Sequence, residues 1–336
     1  MDPATQKNQE LPVITPPSVL QNASGDAFFA RLIAQAQASF QASHADSTLR
    51  AYAHDWNMFQ RWCLEHQLLP LPASTQTVIL YATDLTKNNQ RSLGTLIRRL
   101  AAISQFHQRV GFPSPTRSWE MKKFLAGLRR ELGVEPKRKK PVIAGDLKKI
   151  VLQLPDTPLG RRDRAILLLG FAGAFRRSEL VALDVKDCTE SSEGLTIKIR
   201  RSKVDQEGKG RSVGIPRGRE QATCPLWALE QWRSTAKIKE GALFRVMNRH
   251  GQILDKRLSG EAVGMVVKRY MPWLGFDRGD FAGHSLRAGL ATSAAAAGKS
   301  ERAIMNQTGH RSLTTVRRYI RDGSLFRDNA ADGLGL

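Results

Sequence analysis

The sequence predicts a mainly α-helical protein of two domains, with a small antiparallel β-sheet confined to the second. Three observations predict it. Apolar residues recur at helix spacing along most of the chain. One stretch, GVEPKRKKPV (133–142), interrupts that pattern with a glycine, two prolines and four basic residues. Two short segments, LTIKIR (195–200) and RSVGIP (211–216), alternate apolar and polar positions around a Gly-containing connection, as half-buried paired strands do. At 336 residues the chain also exceeds the usual size of a single core.

Residues 1–24 are rich in Pro, Gln and Asn, and are expected to be disordered. From Asp26 the pattern turns helical, with Phe28, Phe29, Leu32 and Ile33 on one face. Asp46 or Ser47 can cap a second helix through Leu49, Tyr52, Trp56, Phe59 and Trp62. Ser74 can cap a third, carrying Val78, Ile79, Tyr81 and Leu85. SLGTLIRRLAAISQFHQRV (92–110) is a fourth, amphipathic and basic, and WEMKKFLAGLRREL (119–132) a fifth. Residues 25–132 therefore read as one all-helical domain of ordinary small-domain size, and 133–142 as a basic linker.

The second domain spans 143–323. Asp146 is expected to start its first helix, through Leu147, Ile150, Val151 and Leu154. A buried helix over 162–174 and SELVAL (178–183) follow, then the two strands. Helices are expected over 224–237, 259–272, 286–297, 300–307 and 313–320. The tail 324–336 is polar, with few apolar anchors.

Lys and Arg number 52 against 31 Asp and Glu, a net charge of +21. The excess runs through 129–140, 198–211 and 311–321, and a polyanionic partner is the natural reading, nucleic acid first. Charge alone leaves open a ribosome-associated protein or an inert basic surface. Cys63, Cys188 and Cys224 stand far apart, without the spacing of a disulfide framework or a zinc site, which fits a reducing compartment. The N-terminus has no charged-then-apolar signal pattern. The apolar run AILLLGFAGAF (165–175) is too short to span a membrane. A cytoplasmic, nucleoid-associated protein with no membrane partner is expected. No phosphate-binding Gly-rich loop or dinucleotide fingerprint appears, and His44, His54, His66, His107 and His250 form no ligand cluster. Neither cofactor nor metal is implied.

The chemistry lies in six side chains. Arg176 stands in GAFRRSEL (173–180), Lys203 in RRSKVDQEGKGRSVGIP (200–216), and His284 and Arg287 in GHSLRAG (283–289). His310 stands in TGHRS (308–312) and Tyr319 in VRRYIR (316–321). Two guanidiniums can clamp a phosphodiester through paired hydrogen bonds, and stabilise the extra charge that builds on its oxygens during attack. Arg176 follows an apolar stretch, so it needs an anion or a carboxylate; Glu179, three residues on, can supply one. Arg177 competes with it for the clamp. Tyr319 can attack if cations and a proton acceptor assist a phenol whose ordinary pKa is near 10. His284 and Arg287, one helical turn apart, share a face. His284 can take the phenol proton or donate to the phosphate, and His310 can bond a non-bridging oxygen. Lys203, between the strands, can protonate the leaving oxygen. Lys198, Lys209 and Arg211 are alternatives for that cation.

In this order and spacing the chain resembles the tyrosine recombinase, or phage integrase-type, family, including Xer-like and Cre-like enzymes, from about residue 30 onward. The family order is Arg, Lys, His-x-x-Arg, His or Trp, then Tyr. Its register, with Ser-Glu-Leu beginning one residue after the next position, favours Arg176 over Arg177. The Ser-Lys sequence favours Lys203, and the nine-residue step from His310 favours Tyr319. The resemblance implies a core-binding domain and a catalytic domain that clamp duplex DNA. It implies cleavage through a 3′-phosphotyrosyl bond, without a high-energy cofactor, in a homotetramer that passes through a Holliday junction at a specific double-stranded site. It leaves room for accessory proteins and for a tail exchanged between protomers. With no obvious arm-binding domain before residue 26, a simple recombinase is expected. A type IB topoisomerase or hairpin telomere resolvase would use the same chemistry, and a non-catalytic DNA-binding protein the same fold. For DNA contacts, the helix 92–110 is expected to enter a major groove with Arg98, Arg99 and Gln105 exposed and Arg91 just ahead of it. Lys137, Arg138, Lys139 and Lys140 of the linker are expected on phosphates, and Arg200 and Arg201 are further expected DNA contacts.

Overall fold

Serine side chains set where helices begin in the computed structural model, which describes residues 46–88, 92–133, 139–200 and 210–323 together with Arg31 and Gln35. The chain divides into two compact units, Met1–Lys137 and Arg138–Leu336. In the first, α1 is Asp46–Glu65, α2 Thr75–Thr83, α3 Leu93–Arg109 and α4 Trp119–Leu132. Ser74 accepts the Thr77 N–H at 3.0 Å, Ser92 that of Thr95 at 3.3 Å, and Ser118 that of Met121 at 3.1 Å. Each satisfies one of the donors that a helix start leaves bare. A wider π turn, Asp84–Asn88, continues α2. The helix expected around Phe28–Ile33 lies outside the described residues, apart from helical Arg31 and Gln35.

The core of this unit gathers Trp56, Phe59, Tyr81, Leu96, Ile103 and Met121. Trp56 stacks on Phe106, with centroids 4.7 Å apart and planes 5° from parallel. His107 is fully buried, and its two ring nitrogens meet Ile103 O at 2.8 Å and Ala73 N at 2.9 Å.

The second unit is mainly helical, with two small antiparallel sheets. Its elements are α5 Ala144–Gln153, α6 Pro158–Ala172, α7 Arg177–Ala182, β1 Cys188–Glu190, β2 Gly194–Ile199 and β3 Arg211–Pro216. Then come α8 Pro225–Thr235, β4 Arg245–Met247, β5 Ile253–Arg257, α9 Gly260–Tyr270, α10 Ser285–Ala296, α11 Glu301–Thr308 and α12 Leu313–Gly323. The expected strand pair is β2–β3, in register Ile197↔Val213, and β1 adds a third strand on the far edge of β2. The β4–β5 hairpin was not expected; β5 is half-buried at Ile253 and otherwise exposed, so it carries little alternation. Helix α6 starts four residues before its expected position, because Thr157 caps Gly160 at 3.2 Å and Pro158 fills the first turn. Helix α5 starts two residues before Asp146, where Ser293 of α10 accepts the Ala144 N–H at 2.9 Å.

Helix α6 is buried at Ile166, Leu167 and Leu169, and its core continues through Ile197, Val213 and Trp232. The segment entering the unit is pinned to α10 and the turn before it. Lys140 N–H donates to Asp280 O at 2.7 Å and Val142 N–H to Ser285 O at 3.0 Å. A Cβ at position 289 would come within 1.8 Å of Val142 O, so this approach requires Gly289.

Candidate active site

Arg176 is the residue before α7, and its own helix holds it. Its backbone N–H donates to Glu179 Oε2 at 2.9 Å and its Nη1 to Oε1 at 2.6 Å. Glu179 is buried, so its charge needs partners. Arg211, the first residue of β3, brings a second guanidinium to 3.6 Å from the same carboxylate.

Arg287 is fully buried on α10. Its Nη1 donates to Ala174 O at 2.7 Å. Its Nε and Nη2 are buried and have no hydrogen-bond partner among the described residues. Burial, and then the neighbouring Arg176 guanidinium, push its pKa down to about 10. A cation weakened in this way, with donors that no described residue accepts from, can take an anion.

His284, one turn before Arg287, places Nε2 2.9 Å from Tyr319 Oη. The residue keeps surface open to solvent, but desolvation by the atoms packed round its ring, then Arg287 and Arg176, lower its pKa, which favours a neutral ring able to accept a proton. Tyr319 sits on α12, packed against the small cluster of Ala291, Ala295, Ile304 and Val316 that joins α10, α11 and α12. Its ring lies nearly parallel to His310, with centroids 5.9 Å apart and planes 28° from parallel. His310 follows Gly309, whose φ of 63° ends α11 in the left-handed region. A Cβ there would lie 2.8 Å from Arg211 Nε, so Gly309 also makes room for that side chain. His310 is pushed down to about 3 by burial, then by Arg287, Arg176, His284 and Arg211.

Five of the six singled-out residues thus form one cluster: Arg176, His284, Arg287, His310 and Tyr319, with buried Glu179 bonded to Arg176. Lys203, with Lys209, lies outside the described residues. Two contributors were not singled out. Arg211 appeared only as an alternative to Lys203. Gln307 drew no attention, yet its side chain donates to Ala172 O at 2.7 Å and Gly214 O at 3.1 Å, and its carbonyl accepts from Arg211 Nη1 at 3.1 Å. The only local signal for Gln307 is its place just before TGHRS.

The expected DNA-contact residues fare unevenly. Arg99 is a correction: it is buried rather than exposed, donates to Tyr81 Oη at 2.6 Å, and lies 3.8 Å from Asp55. Its place beside Leu96, Leu100 and Ile103 turns it into the core, where Asp55 supplies a counter-charge. Gln105, also expected to be exposed, is half-buried. Arg98 stays on the surface, 3.1 Å from Asp55. Arg200 is tied to Asp184 at 2.6 Å and Asp187 at 2.7 Å, Lys140 pairs with Asp280 at 2.7 Å, and Lys139 donates to Gly279 O. Arg91, Lys137, Arg138 and Arg201 lie outside the described residues. Among the described residues no helix is long and apolar enough to cross a membrane, and no His, Cys, Asp or Glu cluster is placed to hold a metal ion.

Residues 143–324 match the model of the Phage integrase family. The integrase/recombinase xerD homolog of Selenomonas ruminantium is 39% identical over 304 residues, covering 89% of each chain. Two solved structures share the fold. The Tn1549 transposon integrase in complex with transposon right end DNA is 16% identical, with a TM-score of 0.58, over 85% of this chain and 92% of its own. A lambda integrase dimer bound to a COC′ core site is 15% identical, with a TM-score of 0.55, over 83% and 90%.

Proposed function

The chain belongs to the phage integrase family, and from that premise we propose that it is a Xer-like site-specific recombinase, breaking and rejoining DNA through a covalent bond to Tyr319. The observation that carries the assignment of roles is the 2.9 Å contact of His284 Nε2 with Tyr319 Oη, beside a buried Arg287 with donors to spare.

In this reading Arg176 and Arg287 hold the non-bridging oxygens of the scissile phosphate. Tyr319 Oη gives its proton to His284 Nε2 and attacks phosphorus. The bond to the 5′-oxygen breaks, leaving a 3′-phosphotyrosyl link and a 5′-hydroxyl. Lys203 supplies the proton to the departing oxygen. Glu179 keeps Arg176 in place, with Arg211 as a second cation near its carboxylate. The 5′-hydroxyl of a partner strand then gives its proton to the deprotonated Lys203 and attacks the link, Tyr319 leaves, and His284 returns the phenol proton. The link conserves the energy of the broken bond, so no external energy source enters. Four copies acting on two duplexes through a Holliday junction complete the proposal, with linker cations Lys137 and Arg138 on phosphates and surface residues of α3 such as Arg98 towards bases.

The test uses nicked duplexes enriched by this protein from a random-sequence pool. Wild type is expected to become covalently attached, while Tyr319→Phe binds the same duplexes with unchanged affinity and gives no adduct. An adduct that survives the change and maps to another peptide overturns the assignment.

A further inference from the structure

Thr308 is the last residue of α11 and is fully buried. Its Oγ1 lies 2.6 Å from Ile304 O and 2.8 Å from His310 Nδ1. A hydroxyl has one hydrogen, and a backbone carbonyl only accepts. Two oxygens that close with no hydrogen between them would repel, so the Thr308 hydrogen points to Ile304. Helical threonines often bond back in this way to the carbonyl four residues earlier. His310 Nδ1 must therefore be the donor to Thr308 Oγ1. A neutral imidazole carries a single ring hydrogen, so His310 Nε2 is bare.

A bare Nε2 meets a phosphate oxygen lone pair to lone pair. It can bond that oxygen only after gaining a hydrogen. The groups acting on the ring are Arg176 ahead of α7, Arg211 of β3, His284 and Arg287 of α10, and the Tyr319 ring of α12. With no anion present, burial and the cations among them keep the ring neutral. A phosphodiester among the same cations offsets their repulsion and favours the imidazolium.

We infer that Thr308 is a positioning residue that fixes His310 in its Nδ1–H tautomer, so that His310 engages a phosphodiester only by taking up a proton from solvent at Nε2. The second half rests on the reading of this pocket as a phosphodiester site; the first half does not.

Two measurements test it. In the first, the full chain is labelled with 15N-histidine, and His310 is assigned by the signal lost in His310→Asn. Wild type and Thr308→Ser are expected to carry the hydrogen on Nδ1. Thr308→Val, of the same shape without the oxygen, is expected to move it wholly or partly to Nε2. A hydrogen on Nε2 in wild type, or no change in Thr308→Val, overturns the tautomer. In the second, the rate of covalent adduct formation on the enriched duplexes is followed across about two pH units around neutrality. Wild type is expected to lose up to about tenfold more rate per pH unit than Thr308→Val, whose His310 can donate without gaining a proton. Other ionisations are common to both and cancel. Equal slopes, with Thr308→Val merely slower, would mean simple structural support and overturn proton uptake. Absence of adduct from wild type sinks the recombinase assignment and the uptake step together, while the spectra still decide the tautomer.

Discussion

Both units bury an arginine, and they use it in opposite ways. Arg99 of the first unit lies beside a counter-charge: Tyr81 accepts from it and the Asp55 carboxylate is 3.8 Å from its Nε, although that Nε makes no hydrogen bond among the described residues. Arg287 of the second has one carbonyl partner, no ion pair among the described residues, and Arg176 and Arg211 as well as Glu179 acting on its charge. Two histidines divide similarly, His107 buried and His310 half-buried. His107 has a partner at each ring nitrogen, whereas His310 is anchored at Nδ1 by Thr308. A buried charge placed beside an opposite charge stabilises a core. A set of partners left open on one side leaves stability unused and holds donors ready for a substrate oxyanion.

The strongest test of this contrast is Arg287→Met. Loss of a preorganised donor pair is expected to slow adduct formation by on the order of 10³-fold. The melting temperature is expected to hold or rise, since the charged form of Arg287 is disfavoured by burial. A variant that melts well below wild type would show Arg287 to be as structural as Arg99.

Arg99→Met is expected to do the reverse. It leaves the buried Asp55 with surface-exposed Arg98 alone, at a cost of about 3 kcal/mol in urea unfolding. Adduct formation by the folded fraction should stay at the wild-type rate. A variant as stable as wild type, with weaker discrimination among duplexes, would restore Arg99 to the DNA-reading role that its burial argues against.

The smallest effect concerns His107. Burial lowers its pKa, and protonation would break the Ala73 contact. Because the folded value lies below the unfolded one, its contribution is complete above about pH 6.5 and is lost as pH falls, by at most about 1.4 kcal/mol per unit. Urea unfolding followed by the first unit's tryptophan fluorescence at neutral and mildly acidic pH should show this slope, flattened in His107→Gln. Equal slopes would leave His107 without a role in acid sensitivity.

Much of this was legible in the sequence because it is written locally. Ser74 caps an N–H only three residues on, that of Thr77, and Arg176 meets Glu179 within one turn. His284 and Arg287 share a face because a helix repeats every 3.6 residues. The strand pair showed as period-two alternation. The hairpin β4–β5 escaped because neither strand alternates: β4 is half-buried throughout and β5 is exposed beyond Ile253.

Those six side chains and their order are properties of the sequence alone, as are the helical character, the β2–β3 pair and the excess of positive charge. Tertiary structure alone decided that Arg99 faces Asp55, that Ser293 caps α5, that Arg211 and Gln307 brace the pocket, and that Thr308 gives His310 its tautomer. Periodicity tells which face of an element is buried. It does not tell which residue of a distant element meets that face, and in a low-dielectric interior that partner determines whether a charge is neutralised, shifted or left open for a substrate.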